Sequence, residues 1–100
     1  MHNLLQIREL IAPLLWDSNR NPDFYIGLMQ KSPRSNAEQR VLNAMYIKLL
    51  NFNRWHAIVR LFDAETLKDE VLNEDVIRGL FPRSLREKYR YVRRVFFESV

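Results

Sequence analysis

The side chains with chemistry to offer fall into three groups: two histidines, a cluster of carboxylates and a run of arginines. Catalysis and metal binding need such groups at fixed spacings. His2 stands near the start of the chain and His56 lies four residues before Arg60. Neither has a second ligand at metal-binding spacing. Asp69, Glu70, Glu74 and Asp75 are close in sequence. They lack the alternation of ligands around a central glycine that a calcium loop requires, so they read as a solvated face. Ser18, Ser32, Ser35 and Ser84 stand in turn or cap contexts. Two glycines cannot build a phosphate-cradling loop. The absence of cysteine excludes disulfides and thiolate metal sites. The residues therefore predict a protein that is not an enzyme and uses no cofactor or metal.

The arginines are more informative. The stretch SLREKYRYVRRVFFESV carries five basic side chains and four aromatic rings against two carboxylates. On a helix at about 100° per residue, Leu85, Tyr89, Val92 and Phe96 share a narrow apolar sector, with Val95 and Val100 beside it. Arg86, Arg90, Arg93 and Arg94 gather away from that sector with Phe97, and Arg83 joins them if the helix begins early enough. Tyr91 also falls off the apolar stripe. Within residues 83–94 arginine outnumbers lysine five to one. Guanidinium forks match carboxylate or phosphate and stack on aromatic faces. An exposed aromatic among arginines is the composition of a protein-binding hot spot. Arg83, Arg86, Arg90, Tyr91, Arg93, Arg94 and Phe97 are thus the predicted partner-binding residues. The plainer alternative is a terminal helix whose basic face is merely solvated or pairs with nearby acids. A third is nucleic-acid binding, in which the same arginines hold phosphates without reading bases.

Charge is polarised along the whole chain, whose net charge is +4. Residues 1–62 hold eight lysines and arginines against four acids; residues 63–77 hold one lysine against six acids; residues 78–100 hold seven basic residues against two acids. An acidic segment followed by a basic one predicts either two helices that attract each other or two separate faces. The apolar share of 47% suits a folded domain, and 100 residues make one domain with its own core. The apolar stretch from Leu4 to Trp16 contains Arg8, Glu9 and Pro13, so it neither spans a bilayer nor has a signal-peptide layout. A soluble, cytoplasmic protein is expected.

No segment shows the period-two alternation of strands. The expected fold is all-α, a compact single-domain bundle of six or seven short helices. The first runs from Asn3 to Ala12, with Leu4, Ile7, Ile11 and Leu15 on one face and Pro13 ending or kinking it. A second spans Pro22 to Lys31, with Asn21 as N-cap and Phe24, Ile26, Leu28 and Met29 as its apolar members. Ser35 and Glu38 have capping-box spacing and open a long helix over Asn36 to Asn51. Val41, Met45, Leu49 and Phe52 line one side of it, widened by Leu42 and Tyr46. Asn53 caps Arg54 to Phe62, with Trp55, Ile58, Val59 and Phe62 inward. Trp16, Trp55, Phe62 and Phe96 are expected core aromatics. Asp63 caps Ala64 to Leu72, and Asn73 caps a short helix to Leu80. Ser84 and Glu87 suggest a second capping box at the last helix.

The segments IAPLLWD, LLNFNRWHAIVRLFDAETLKDEVL and LFPRSLREKYRYV resemble small helical bacterial proteins that accompany nucleotidyltransferase-type toxins and are regarded as antitoxin-like. Leu15, Trp16, Asp17, Leu50, Trp55, Leu67 and Leu85 carry the resemblance, which spans about half the chain. It implies a regulatory protein-binding role and assigns no functional residues. The apolar edge of the second helix adds homodimerisation as an expectation.

Overall fold

Helix boundaries follow the local cap chemistry closely. The computed structural model describes residues 4–15, 20–52 and 55–95. Helix α1 covers Leu4–Ile11 and passes into a 3₁₀ turn at Ala12–Leu15, where Pro13 interrupts the α pattern. Helix α2 covers Pro22–Gln30; the Asn21 side chain accepts from the Phe24 N–H at 3.0 Å, and proline opens the first turn. Helix α3 covers Asn36–Asn51. Its capping box is complete: Glu38 N–H donates to Ser35 Oγ at 3.1 Å, and Ser35 N–H donates to Glu38 Oε1 at 2.9 Å. Helices α4 (Trp55–Leu61), α5 (Ala64–Thr66), α6 (Glu74–Arg78) and α7 (Arg83–Arg93) follow. Asp63 caps α5 through Thr66 N–H and Asn73 caps α6 through Val76 N–H.

Two features depart from a simple helical reading. Leu67–Val71 forms a π-helical turn, closed by Leu72 N–H donating to Leu67 C=O at 2.8 Å. The extra residue keeps Leu67, Val71 and Leu72 buried together. Helix α7 starts at Arg83, with Pro82 in the cap position and no side-chain cap. The proline's fixed φ and extended ψ set the entry, and Leu85 N–H donates to Pro82 C=O at 2.9 Å. Ser84 therefore lies inside the first turn, and the expected Ser84–Glu87 capping box does not form.

Helix α3 is the central element and packs on α2, α6, the 3₁₀ turn and the π turn. It buries Leu42, Met45, Tyr46, Leu49 and Leu50. Facing them are Ile7, Ile11, Leu14, Leu28, Ile58, Phe62, Val76, Ile77 and Leu80. Each such aliphatic side chain stabilises the fold by about 1.5–3 kcal/mol relative to exposure. The radius of gyration is 13.0 Å, as expected for a compact 100-residue chain. The α6 terminus approaches α3 so closely that a Cβ on Gly79 would stand 3.1 Å from Ile47 Cγ1 and closer still to Cδ1. No strand occurs among the described residues.

Several apolar side chains point otherwise than their spacing suggested. Tyr25 is buried whereas its neighbour Phe24 is 40% exposed. Phe24 instead lies under the Arg20 guanidinium and meets Tyr25 edge-on. Phe52 and Val59 are exposed. Trp16, Asn53, Arg54, Phe96 and Val100 lie outside the described residues.

Candidate functional site

Helix α7 is anchored by its apolar stripe. Tyr89 is fully buried, and Leu85 and Val92 pack partly buried against the core. Tyr89 meets Trp55 of α4 edge-on at 5.7 Å between ring centres, and Lys88 Nζ lies 5.3 Å over the Tyr89 ring. The Tyr89 hydroxyl is buried without a hydrogen-bond partner among the described residues, and burial pushes its pKa up. This packing fixes which way the arginines face.

The stripe of arginines divides into parts with different tasks. Arg86 is half-buried, and its Nη1 donates to Leu80 C=O at 3.0 Å. It ties the start of α7 to the end of the α6 segment. Arg83 is highly exposed and stands 3.4 Å from Glu87 on the same helix. Arg90 turns to α6: its Nε and Nη2 both donate to Glu74 Oε1, at 3.1 Å and 2.5 Å. This contact raises the Arg90 pKa, chiefly through the hydrogen bond. Arg90, Arg93, Arg94 and Glu74 together line an open groove of about 260 Å³. Arg93 is half-buried and Arg94 exposed. Tyr91 is 60% exposed and sits three residues from Arg94, a neighbouring position on the helix surface. Phe97 lies outside the described residues.

The acidic segment thus meets the basic helix in a limited way. Glu74 reaches Arg90, but Glu70 turns to Arg34 and Asp75 to Arg78. Glu74 is the one wall of the groove that sequence spacing did not single out. The charge reversal between residues 63–77 and 78–100 was its signal.

Several basic residues elsewhere are engaged internally. Arg8 pairs with Asp23 at 2.7 Å, and Lys31 with Glu38 at 2.5 Å. Arg34 is the most occupied. Its Nε and Nη2 donate to the Leu28 and Met29 carbonyls, and its Nη1 to Gln39 and both oxygens of Glu70. Three guanidinium groups and one carboxylate line the solvent-open groove on α7 among the described residues, and arginine forks can donate to carboxylate or phosphate oxygens. Among the described residues no group of three histidine, aspartate or glutamate side chains could hold a metal ion, and no helix is long and apolar enough to cross a membrane.

No protein-family model, curated protein or solved structure matches the chain.

Proposed function

We propose that the chain is a non-enzymatic helical interaction module, regulatory and antitoxin-like, that captures an anionic segment of a partner protein on α7. The observation that supports this reading most is the groove itself, which Arg90, Arg93 and Arg94 line together with Glu74. Tyr91 offers an exposed aromatic beside Arg94 for the same contact. Nucleic acid is the competing ligand. A phosphate backbone is bound by many dispersed cations. Arg8, Lys31, Arg34 and Arg78 are each held by the protein's own carboxylates, which takes these four out of a continuous phosphate-binding track.

The test is capture from the host with wild-type protein and with the Arg90→Glu/Arg94→Glu double variant. The expected result is loss of the captured partner with the circular-dichroism melt nearly unchanged, because the Arg90–Glu74 pair is exposed and solvent-screened. Undiminished capture would overturn the proposal. So would duplex or single-strand binding that falls steeply with salt and disappears in the variant.

A further inference from the structure

A separate cavity of about 50 Å³ lies between the end of α2, α3 and the π turn. Met29, Arg34, Tyr46, Phe62, Thr66 and Glu70 line it. Met29 and Phe62 are apolar, whereas the other four carry a guanidinium, a carboxylate and two hydroxyls. Cavities that stay dry have apolar walls, and a polar cavity takes up water once it offers about 10–15 Å³. The charges in the wall offset each other, because Arg34 and Glu70 are paired at 2.9 Å. A neutral occupant therefore suits the cavity better than an ion. Its volume is also far below the roughly 300–1,000 Å³ of an organic-ligand pocket.

Tyr46 is the residue with most need of an occupant. It is 1% exposed, and its ring meets Phe62 edge-on at 6.3 Å between centres. Burial pushes its pKa up, Glu70 adds to the rise and Arg34 opposes it, so the phenol oxygen lies within the field of both. None of the hydrogen bonds that Arg34 and Glu70 make with described residues reaches Tyr46, however. A buried hydroxyl left unbonded is costly, and buried polar groups as a rule find a partner in protein or in ordered water. The cavity supplies the complementary groups. A guanidinium has five N–H donors. Nε of Arg34 donates to Leu28, Nη1 to Gln39 and Glu70, and Nη2 to Met29, which leaves one N–H of Nη2 over among the described residues. Each Glu70 oxygen accepts from Nη1 and keeps capacity for a further donor. Water both donates and accepts, so it can satisfy a hydroxyl, a carboxylate and a guanidinium together.

We infer that this cavity is a water-binding site, in which about one or two ordered molecules bridge the Tyr46 hydroxyl to the Glu70 carboxylate and the Arg34 guanidinium. The bridge joins α3 to the Arg34–Glu70 pair, so the α2 C-terminus, the middle of α3 and the π turn share one polar network. The site stands apart from the α7 groove and does not depend on the reading of that groove.

The experiment combines a crystal structure of the full chain at a resolution that shows ordered solvent, the same crystal under xenon pressure, and urea denaturation of Tyr46→Phe. Water density is expected within about 2.5–3.2 Å of Tyr46 Oη and of a polar atom of Glu70 or Arg34. Xenon should not enter, because it occupies dry apolar cavities. Tyr46→Phe should lower the folding equilibrium constant by about threefold to tenfold, the worth of one bonded hydroxyl. Tyr89→Phe, at a hydroxyl sealed away without a partner among the described residues, should not lower it. A direct bond from the Tyr46 hydroxyl to a protein group, xenon in the cavity, or an ion or solute in place of water would each overturn the inference. So would a Tyr46→Phe variant as stable as wild type. If that variant does not fold, the wild-type solvent density decides alone.

Discussion

Replacing Arg34 by methionine should destabilise the fold far more than removing a surface arginine. The Arg34 side chain is only 12% exposed and joins three parts of the chain. It donates to the Leu28 and Met29 carbonyls at 2.6 and 3.1 Å, near the α2 C-terminus. It also donates to Gln39 at 2.8 Å and to the two Glu70 oxygens at 3.0 and 2.9 Å. Methionine keeps most of the length and loses every one of these bonds. Hydrogen bonds involving a charged group contribute about 1.5–3 kcal/mol each where desolvated. Breaking a buried ion pair from one side costs about 3–5 kcal/mol. Glu70 is 29% exposed, so water recovers part of that loss. The Arg34→Met variant is expected to lose about 2–4 kcal/mol. For a chain of this size that is a melting-point drop on the order of 10–25 °C. Urea denaturation followed by circular dichroism measures it. The double variant Arg34→Met/Glu70→Gln should recover about 1 kcal/mol, because the orphaned carboxylate is then removed. A single-variant loss below about 0.5 kcal/mol would refute the idea that Arg34 links α2 to the π turn.

Three further outcomes follow from the packing. Tyr89→Phe removes a buried hydroxyl that lacks a partner among the described residues, so stability should stay level or rise by about 1 kcal/mol; a clear loss in a thermal melt would show that the hydroxyl is bonded. Gly79→Ala brings a methyl group against Ile47 and should cost about 1–2 kcal/mol in urea denaturation, with Ile47→Val in the same chain restoring most of it. Glu38 is held down from the ordinary 4.5 to about 2, first by the Lys31 side chain and then by the Ser35 backbone N–H. Its folded pKa is depressed, so its contribution is complete above about 4.5 and is lost as pH falls towards 2; acid titration of Glu38→Gln should show a shallower decline across that window than wild type.

Local chemistry was readable from the residues, and non-local engagement was not. Asn21, Ser35, Asp63 and Asn73 each satisfy an N–H three residues ahead, so type and spacing determine the cap. The bounds of α3 follow from this, and the all-α fold follows from the helical spacing of the apolar residues. Ser84 misled because Pro82, two residues earlier, already fixes the entry to α7. The π turn at Leu67–Val71 escaped because one extra residue shifts the phase without leaving a local mark. Tyr25 replaces Phe24 in the core because α2 is apolar on more than one side, and neighbours on α1 and α3 choose the inward face. The groove was half visible. The arginine stripe of α7 marks one wall, whereas Glu74 lies sixteen residues from Arg90 and only the fold brings them together. Arg86 shares the stripe in sequence but is taken by the Leu80 carbonyl.

The central claim is that the groove on α7 is where this protein meets its partner. Arginine side-chain Nε–Hε resonances report on it directly, because each guanidinium gives its own signal. Titration with the partner captured from the host should shift the signals of Arg90, Arg93 and Arg94 and leave those of Arg8 and Arg34 in place. Shifts spread evenly over the arginines, or centred on a different face, would contradict the account.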